Sequence, residues 1–427
     1  MMQILKRLSY SKILPLVITL LLLHTESAWS MSLAELQDAG IANRKIIEKY
    51  RLAVQQQKED QRASSSPFWP QLDVSYNANL LDEETSLENE ENSYLMGSLS
   101  YNLFSGFRDR YNVLSSEMLK NAKEFDLQDI TQEIKYRIAV RYIEIYRAKN
   151  RLEISRGEVV LITKQHRDAV NRYKVGLIRK NDMLKLKVQL DDSIQKMDSD
   201  EAAMLKSLNH LCFESGTKIS KENLLFEEFL RLPEVKNFAS YQAVLKENQS
   251  RIKGLESVIS AKKQTVESFK SAYYPSVDIS ANYKKYGDDF TFGLEENGED
   301  EIRFQMDVNL NLFDGFKKQA DIQKSRIEVK RTASDLHELK AQLETDLKNI
   351  LNDLEVADKN LKLAESSVSL AEENQRVSDV AFKEGVESAT DVLVTVLSLS
   401  RAKFNAIDAR SKLFLKYYQL IRIIENL

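Results

Sequence analysis

Asn102-Leu-Phe-Ser-Gly-Phe-Arg108 recurs as Asn311-Leu-Phe-Asp-Gly-Phe-Lys317, 209 residues further along the chain. Two more pairs keep the same order. Phe68-Trp-Pro-Gln-Leu-Asp-Val-Ser75 matches Tyr273-Tyr-Pro-Ser-Val-Asp-Ile-Ser280 at an offset of 205. Tyr173-Lys-Val-Gly176 with Asp182 matches Phe382-Lys-Glu-Gly385 with Asp391, again at 209. Three ordered matches at nearly one offset mark an internal duplication. The step from 205 to 209 places a four-residue difference between positions 80 and 102, where a surface loop absorbs it. The repeats are read as about 32–212 and 241–427, joined by an irregular linker, 213–240, around Pro233.

Around the repeated motif the hydrophobic period is two. Residues 302–312 alternate apolar and polar without a break, as do 72–80 and 276–284, and 94–103 do so more weakly. Such runs predict four strands with one apolar and one polar face. Leu72, Val74, Tyr76, Phe304, Met306, Val308 and Leu310 fall on the apolar side, and Asp73, Asn77, Gln305, Asp307 and Asn309 on the polar side. Between the strands of each pair, 81–93 and 287–301 carry thirteen acids and no base. Neither run has the spacing of an EF-hand, so both are read as solvated loops.

Elsewhere the period is helical. Leu336, Leu339, Leu343, Leu347, Ile350, Leu354, Leu361, Ala364, Val368 and Ala371 follow a coiled-coil-like seam. Residues 316–381 contain no Pro or Gly, and 107–172 contain only Gly157. A helix of that length spans about 100 Å. Shorter helical patterns cover 33–66, 182–212, 241–272 and 391–424. Pro70 and Pro275 stand at strand starts, where a missing N–H and a fixed φ are tolerated.

Composition narrows the class. The chain has 427 residues, 43% hydrophobic and 30% charged, with 12 Gly and 5 Pro, too few for a turn-rich sandwich or a disordered linker protein. A net charge of -4 leaves no nucleic-acid footprint. One cysteine, Cys212, excludes a disulfide framework and is read as a buried apolar side chain. Ile13–Leu23, preceded by Lys6, Arg7 and Lys12 and followed by Ala28-Trp-Ser30, predicts a signal peptide over residues 1–30. The mature chain, 31–427, is read as one exported domain. His166, His210 and His337 form no helical ligand pair, and no phosphate loop or nucleophile elbow occurs. No enzyme activity, cofactor or metal site is expected.

Strands of nine to eleven residues suit a tilted crossing of a bilayer. In lipid, strands survive only in a closed barrel, and known membrane barrels start at eight strands. Four strands per chain therefore require several chains to pool them, and three chains give twelve. A soluble four-stranded sheet in an exported coiled-coil structural or adaptor protein is the alternative. It explains poorly why helices of about 100 Å flank the sheet.

Two repeats of helix, Pro-led strand, acidic loop, strand ending in Asn-Leu-Phe-x-Gly-Phe, long helix, and Tyr/Phe-x-x-Gly with a following Asp resemble the TolC-type outer membrane efflux and secretion channels. The resemblance covers essentially the whole mature chain. It implies an α+β membrane protein, a homotrimer whose twelve-stranded β-barrel sits in outer membrane lipid and continues into a coiled-coil α-helical tunnel across the periplasm. It also implies an exit duct that works with a periplasmic adaptor protein and an inner-membrane pump, in efflux or type I secretion, with 213–240 at the equator of the tunnel. Gly40-Ile-Ala-Asn-Arg lacks the Asn-Pro common at that point in the family.

The same resemblance implies a periplasmic gate at the two helix-hairpin tips, Gly176 and Gly385. Asp182 matches the family's latch Asp, Phe382 its Tyr, and Glu387 its Arg, while Asp391 and Val394 match the ring positions. Phe382 has no hydroxyl and Glu387 would repel Asp182, so the usual latch cannot form here; Arg179 or Lys180 pairing with Glu387 is the expected substitute. From the residues alone, Gly176 and Gly385 read as left-handed helix ends, with Asn181 and Thr390 as the N-caps that follow.

Overall fold

A computed structural model of the chain describes residues 31–84, 90–287, 290 and 300–426. The predicted signal peptide, 1–30, and most of both acidic loops (85–89, 288–289 and 291–299) lie outside the described residues. The elements run α1 Leu33–Asn43, α2 Lys45–Ser64, β1 Gln71–Leu80, β2 Glu91–Phe104, α3 Arg108–Lys174, α4 Lys180–Ser215, α5 Phe238–Asn248, α6 Ser250–Lys270, β3 Ser276–Gly287, β4 Asp300–Asn309, α7 Lys317–Lys383 and α8 Ala389–Ile423. The two longest helices, α3 and α7, have 67 residues each. Two compact units divide the chain: one holds the described residues up to Arg44 with Ile134–Val235 and Ile350–Leu420, the other Lys45–Glu133, Lys236–Asn349 and the residues from Ile421 on.

The second unit carries the sheet. It is antiparallel throughout, in the order β1-β2-β3-β4. Directly opposed residues share a face. The register sets Leu72 against Leu99, Leu99 against Ala281 and Ala281 against Phe304, and on the other face Asp73 against Ser98, Ser98 against Asn282 and Asn282 against Arg303. The alternation seen in the sequence thus becomes one apolar and one polar face. Leu72, Val74, Phe304, Met306 and Val308 are all exposed in the single chain.

β4 stops at Asn309, short of the expected 312, so Leu310 lies outside the strand. Its ladder ends where Asn309 opposes Ser276, the first residue after Pro275. Beyond that point β3 offers no partner, because Pro275 has no N–H and the chain before it has turned into a 3-10 turn, Ser271–Tyr273. β2 begins at Glu91, three residues earlier than expected, and gains one extra residue near Asn102–Phe104, a bulge.

The repeated Leu-Phe-x-Gly-Phe motif is the strand-to-helix turn. In both copies two consecutive residues are left-handed, Gly106 (φ 66) with Phe107 (φ 70) and Gly315 (φ 71) with Phe316 (φ 70). A bulky residue there is uncommon, and packing must hold it. Phe107 stands edge-on to Phe104 at 5.0 Å, and Phe316 edge-on to Phe313 at 5.5 Å.

The helical patterns 33–66 and 241–272 are each interrupted, at Arg44 (ψ 122) and Gln249 (ψ 108). These positions are 205 apart, the offset of the duplication at this end of the repeats. Tertiary hydrogen bonds drive both breaks. Arg44 donates to the Phe213 carbonyl (2.9 Å) and pairs with buried Glu214 (3.4 Å); Gln249 Nε2 donates to the Ile423 carbonyl (2.9 Å). Near Gln249, Arg422 bonds Asp129 at 2.6 Å and Glu133 at 3.1 Å, and buried Glu425 accepts from the Ser250 N–H and hydroxyl. Burial pushes the Glu425 carboxyl above the usual range, against the pull of Ser250 and Arg422.

In the first unit the linker is anchored by aromatics. Phe229 packs on Tyr146 (4.6 Å) and Phe414 (4.7 Å), and Phe226 on Tyr142 (5.1 Å). The Tyr142 hydroxyl donates to Glu228, whose other oxygen accepts the Leu33 N–H. Burial, with the Glu228 charge beside it, pushes the Tyr142 hydroxyl far above the phenol range. Cys212, expected to be buried, is half-buried, because it lies at the end of α4 where its sulfur accepts the Ile219 N–H. Along α7 the seam residues Leu343, Leu347, Ile350, Leu354 and Leu361 are buried, and Ala357 fills the seven-residue gap. Each such leucine or isoleucine withdrawn from water contributes about 1.5–3 kcal/mol.

The two Gly-Phe turns give a paired prediction. A Cβ on Gly106 would meet the Ser271 carbonyl oxygen at 2.5 Å, whereas one on Gly315 meets nothing within 4 Å. Gly315→Ala should cost about 1–2 kcal/mol, from the left-handed backbone alone. Gly106→Ala should cost clearly more, because backbone must also move. Denaturant unfolding of the purified protein reads the difference; equal losses would reject the close approach at Gly106.

Candidate functional site

Two places carry the candidate machinery, the helix-hairpin tips in one unit and the polar face of the sheet in the other. Each hairpin ends its first helix with a glycine in the left-handed region, Gly176 (φ 76) after α3 and Gly385 (φ 79) after α7. The Gly176 N–H reaches the Tyr173 carbonyl and the Leu177 N–H the Arg172 carbonyl; Gly385 to Phe382 and Val386 to Ala381 repeat the pair. Both are Schellman caps.

The N-caps differ from expectation. α4 starts at Lys180 after Arg179, which makes no side-chain cap, and Asn181 lies inside the helix. α8 starts at Ala389, so Ser388 and not Thr390 is the cap. The Ser388 N–H and hydroxyl both donate to Asp391 (3.1 and 2.6 Å), and the Asp391 N–H bonds back to the Ser388 hydroxyl. This is a capping box. These bonds from the Ser388 side chain and backbone hold the exposed Asp391 carboxyl below its ordinary value.

Around the tips, Ile162 and Ala169 of α3, Leu186 and Leu190 of α4, Phe382 of α7, and Val392 and Val396 of α8 form one buried cluster. Phe382 is therefore core, 5% exposed. Its partner from the first hairpin is Arg172, whose guanidinium lies 4.1 Å from the ring centroid and donates to the Phe382 carbonyl at 3.1 Å. Gln165 donates to Asp379 alongside (3.2 Å), and among the described residues its own buried oxygen has no partner. Asp182 is half-buried, with Lys185 at 3.9 Å. Glu387 accepts from the Ser378 hydroxyl; among the described residues neither Arg179 nor Lys180 forms an ion pair with it. Val394 is exposed on α8.

Arg172 was not legible in the sequence. Its repeat-mate at the 209 offset is Ala381, and no motif marks it. Pro70 and Pro275 directly precede β1 and β3.

On the sheet, the polar face presents Ser75, Asn77, Ser98, Asn282, Gln305 and Asp307. The apolar face carries an open concavity of about 790 Å³ lined by Phe68, Trp69, Leu99, Ile279, Phe304 and Met306. Among the described residues no group of three or more His, Cys, Asp or Glu side chains is placed to hold a metal ion. Among them, too, no helix is long and apolar enough to cross a membrane.

Comparison with known proteins adds three findings. The outer membrane efflux protein family matches residues 36–216 and 242–424. Outer membrane protein TolC of Vibrio cholerae is 24% identical over 431 residues, covering 97% of this chain and 96% of that protein. Among solved structures, a membrane protein from Pseudomonas aeruginosa superposes with a TM-score of 0.80 at 14% identity, covering 94% of this chain and 93% of that one. The outer membrane protein VceC from Vibrio cholerae does so at 0.76 and 16% identity, covering 92% and 95%.

Arg172→Ala should loosen the tip by about 0.5–1 kcal/mol, the usual worth of a half-exposed cation–π contact. Faster amide exchange in 375–395, with the sheet unchanged, would report it; Phe382→Tyr should leave exchange near the parent's. Unchanged exchange in Arg172→Ala would show that the hydrophobic cluster alone holds the tip.

Proposed function

We propose, because this chain belongs to the outer membrane efflux protein family, that it is the exit duct of a tripartite efflux or type I secretion system. It is an outer membrane channel and not an enzyme, which sets aside the alternative of an exported coiled-coil adaptor with a soluble sheet. The observation that carries the reading is the sheet: among the described residues, four strands with one apolar and one polar face, in which β1 and β4 are the outer strands. In hydrocarbon every backbone N–H and C=O must be paired. Three copies joined β1 to β4 give twelve strands, within the known range of membrane barrels. The apolar face then meets lipid, the polar face lines the lumen, and the acidic loops face outside.

The remaining assignments follow from that assembly. Residues 1–30 are a signal peptide, and 31–427 form one channel domain of two repeats, about 32–212 and 241–427, with 213–240 at the equator. The helices form a tunnel in the periplasm that receives cargo from an inner-membrane pump through an adaptor protein. Asp182, Phe382, Glu387, Asp391 and Val394 surround the gate at the Gly176 and Gly385 tips. Asp391 is held ionised by Ser388, so three copies at a constriction favour cations. A duct needs no substrate pocket, because energy and selection come from the pump.

Deleting the protein should raise drug sensitivity or abolish secretion of a specific protein, and the detergent-extracted chain should migrate as a heat-dissociable trimer. A monomer released from membranes by carbonate would overturn the reading. Orientation has its own test. Met306→Arg should cost about 2–4 kcal/mol of membrane stability, and Gln305→Arg, on the opposite face, much less. Equal tolerance of the two in assembly assays would reject the face assignment.

A further inference from the structure

The polar face of the sheet is built from short Ser, Asn, Asp and Gln side chains, with one exception. At the end of the β2–β3 ladder nearest the acidic loops, Tyr94 opposes Tyr286 and Met96 opposes Lys284. Asn77 and Ser75, the β1 partners of Tyr94 and Met96, place this cluster on the polar side. The Lys284 ammonium lies 3.8 Å from the Tyr94 ring centroid and 4.7 Å from that of Tyr286. Its opposed carboxylate, Glu301, is taken by other partners: the Tyr286 hydroxyl donates to it at 3.0 Å and Arg303 at 2.8 Å. Among the described residues the ammonium therefore sits on ring faces and forms no ion pair within 4 Å, although its charge reaches Glu301 across the ladder. Lys284 and Arg303 against Glu301 leave the cluster with one net positive charge.

We propose that Tyr94, Lys284 and Tyr286 form a contact station for aromatic anions on their way out of the duct. The inference rests on the reading of the polar face as the lumen. Its argument is charge complementarity joined to ring chemistry. A cation held between two rings is fixed in place and not neutralised, so it attracts an anion, while an aromatic edge or face adds a stacking partner for a planar cargo. Tyr286 is more than a third exposed, so part of the cluster remains open. The hydroxyl bond to Glu301 holds the ring, and Arg303 holds Glu301. A lone lysine on the same face would attract anions without preferring aromatic ones.

The test uses the full-length protein in planar bilayers, with benzoate and cyclohexanecarboxylate as blockers matched in charge and size. In the parent, benzoate should reduce the current at lower concentration than cyclohexanecarboxylate. Lys284→Gln and Tyr94→Leu should each weaken the benzoate block about two- to fivefold, the range expected for one exposed cation–π contact. Lys284→Arg should keep it, because a guanidinium also sits on aromatic rings, and Lys285→Gln, on the opposite face, should leave it unchanged. Equal block by the two acids, or benzoate block unaltered in Lys284→Gln and Tyr94→Leu, would overturn the station while leaving the duct intact. A parent protein that does not insert into bilayers at all would contradict the duct itself, and the station with it.

Discussion

A sheet that meets hydrocarbon cannot have an edge. Among the described residues no further strand pairs with the outer side of β1 or of β4. Each backbone N–H or C=O left bare in lipid costs several kcal/mol, so a ten-residue edge outweighs the whole stability of an ordinary domain. The apolar face makes the same demand from another direction. Leu72, Val74, Phe304 and Met306 are each more than 60% exposed, far beyond what a soluble sheet leaves in water on one face. Lipid on that face and a second copy at each edge satisfy both demands together.

The duplication supplies the rest of the architecture twice over. The same Gly-Phe pair turns β2 into α3 and β4 into α7, with both residues left-handed in each copy. The same Schellman cap ends α3 and α7. The breaks at Arg44 and Gln249 fall at matching places, yet the chemistry differs: an arginine bonded to a carbonyl and a buried carboxylate in one, a glutamine amide bonded to a carbonyl in the other. What the two copies share is a backbone requirement, and each meets it with the side chain it has.

That distinction explains what the sequence disclosed. Strands, long helices and hairpin glycines depend on local period and on φ, so alternation and Gly placement reveal them. The breaks at 44 and 249 depend on contacts with residues over 160 positions away, and no Pro or Gly announces them. β4 was expected to run three residues too far because alternation persists past Pro275's opposing position, where the partner strand has ended. The α8 N-cap was misplaced by two residues because three consecutive residues, Ser388, Ala389 and Thr390, include two suitable hydroxyls. At the tips the Phe382 position was legible from the repeat, but its partner was not. Arg172 reaches the Phe382 ring from a helix face that carries no motif.

The central claim is that β1 of one copy pairs with β4 of the next. Within one chain these strands are three ladder spacings apart, about 14 Å, too far for a disulfide. In a Cys212→Ser background, a cysteine at Ser75 on β1 should be paired with single cysteines at 303, 305 or 307 on β4 and the membranes oxidised. One of these registers should give a covalent trimer on denaturing gels, reversed by reductant. Monomer at every register, in protein that has reached the outer membrane, would contradict the shared barrel.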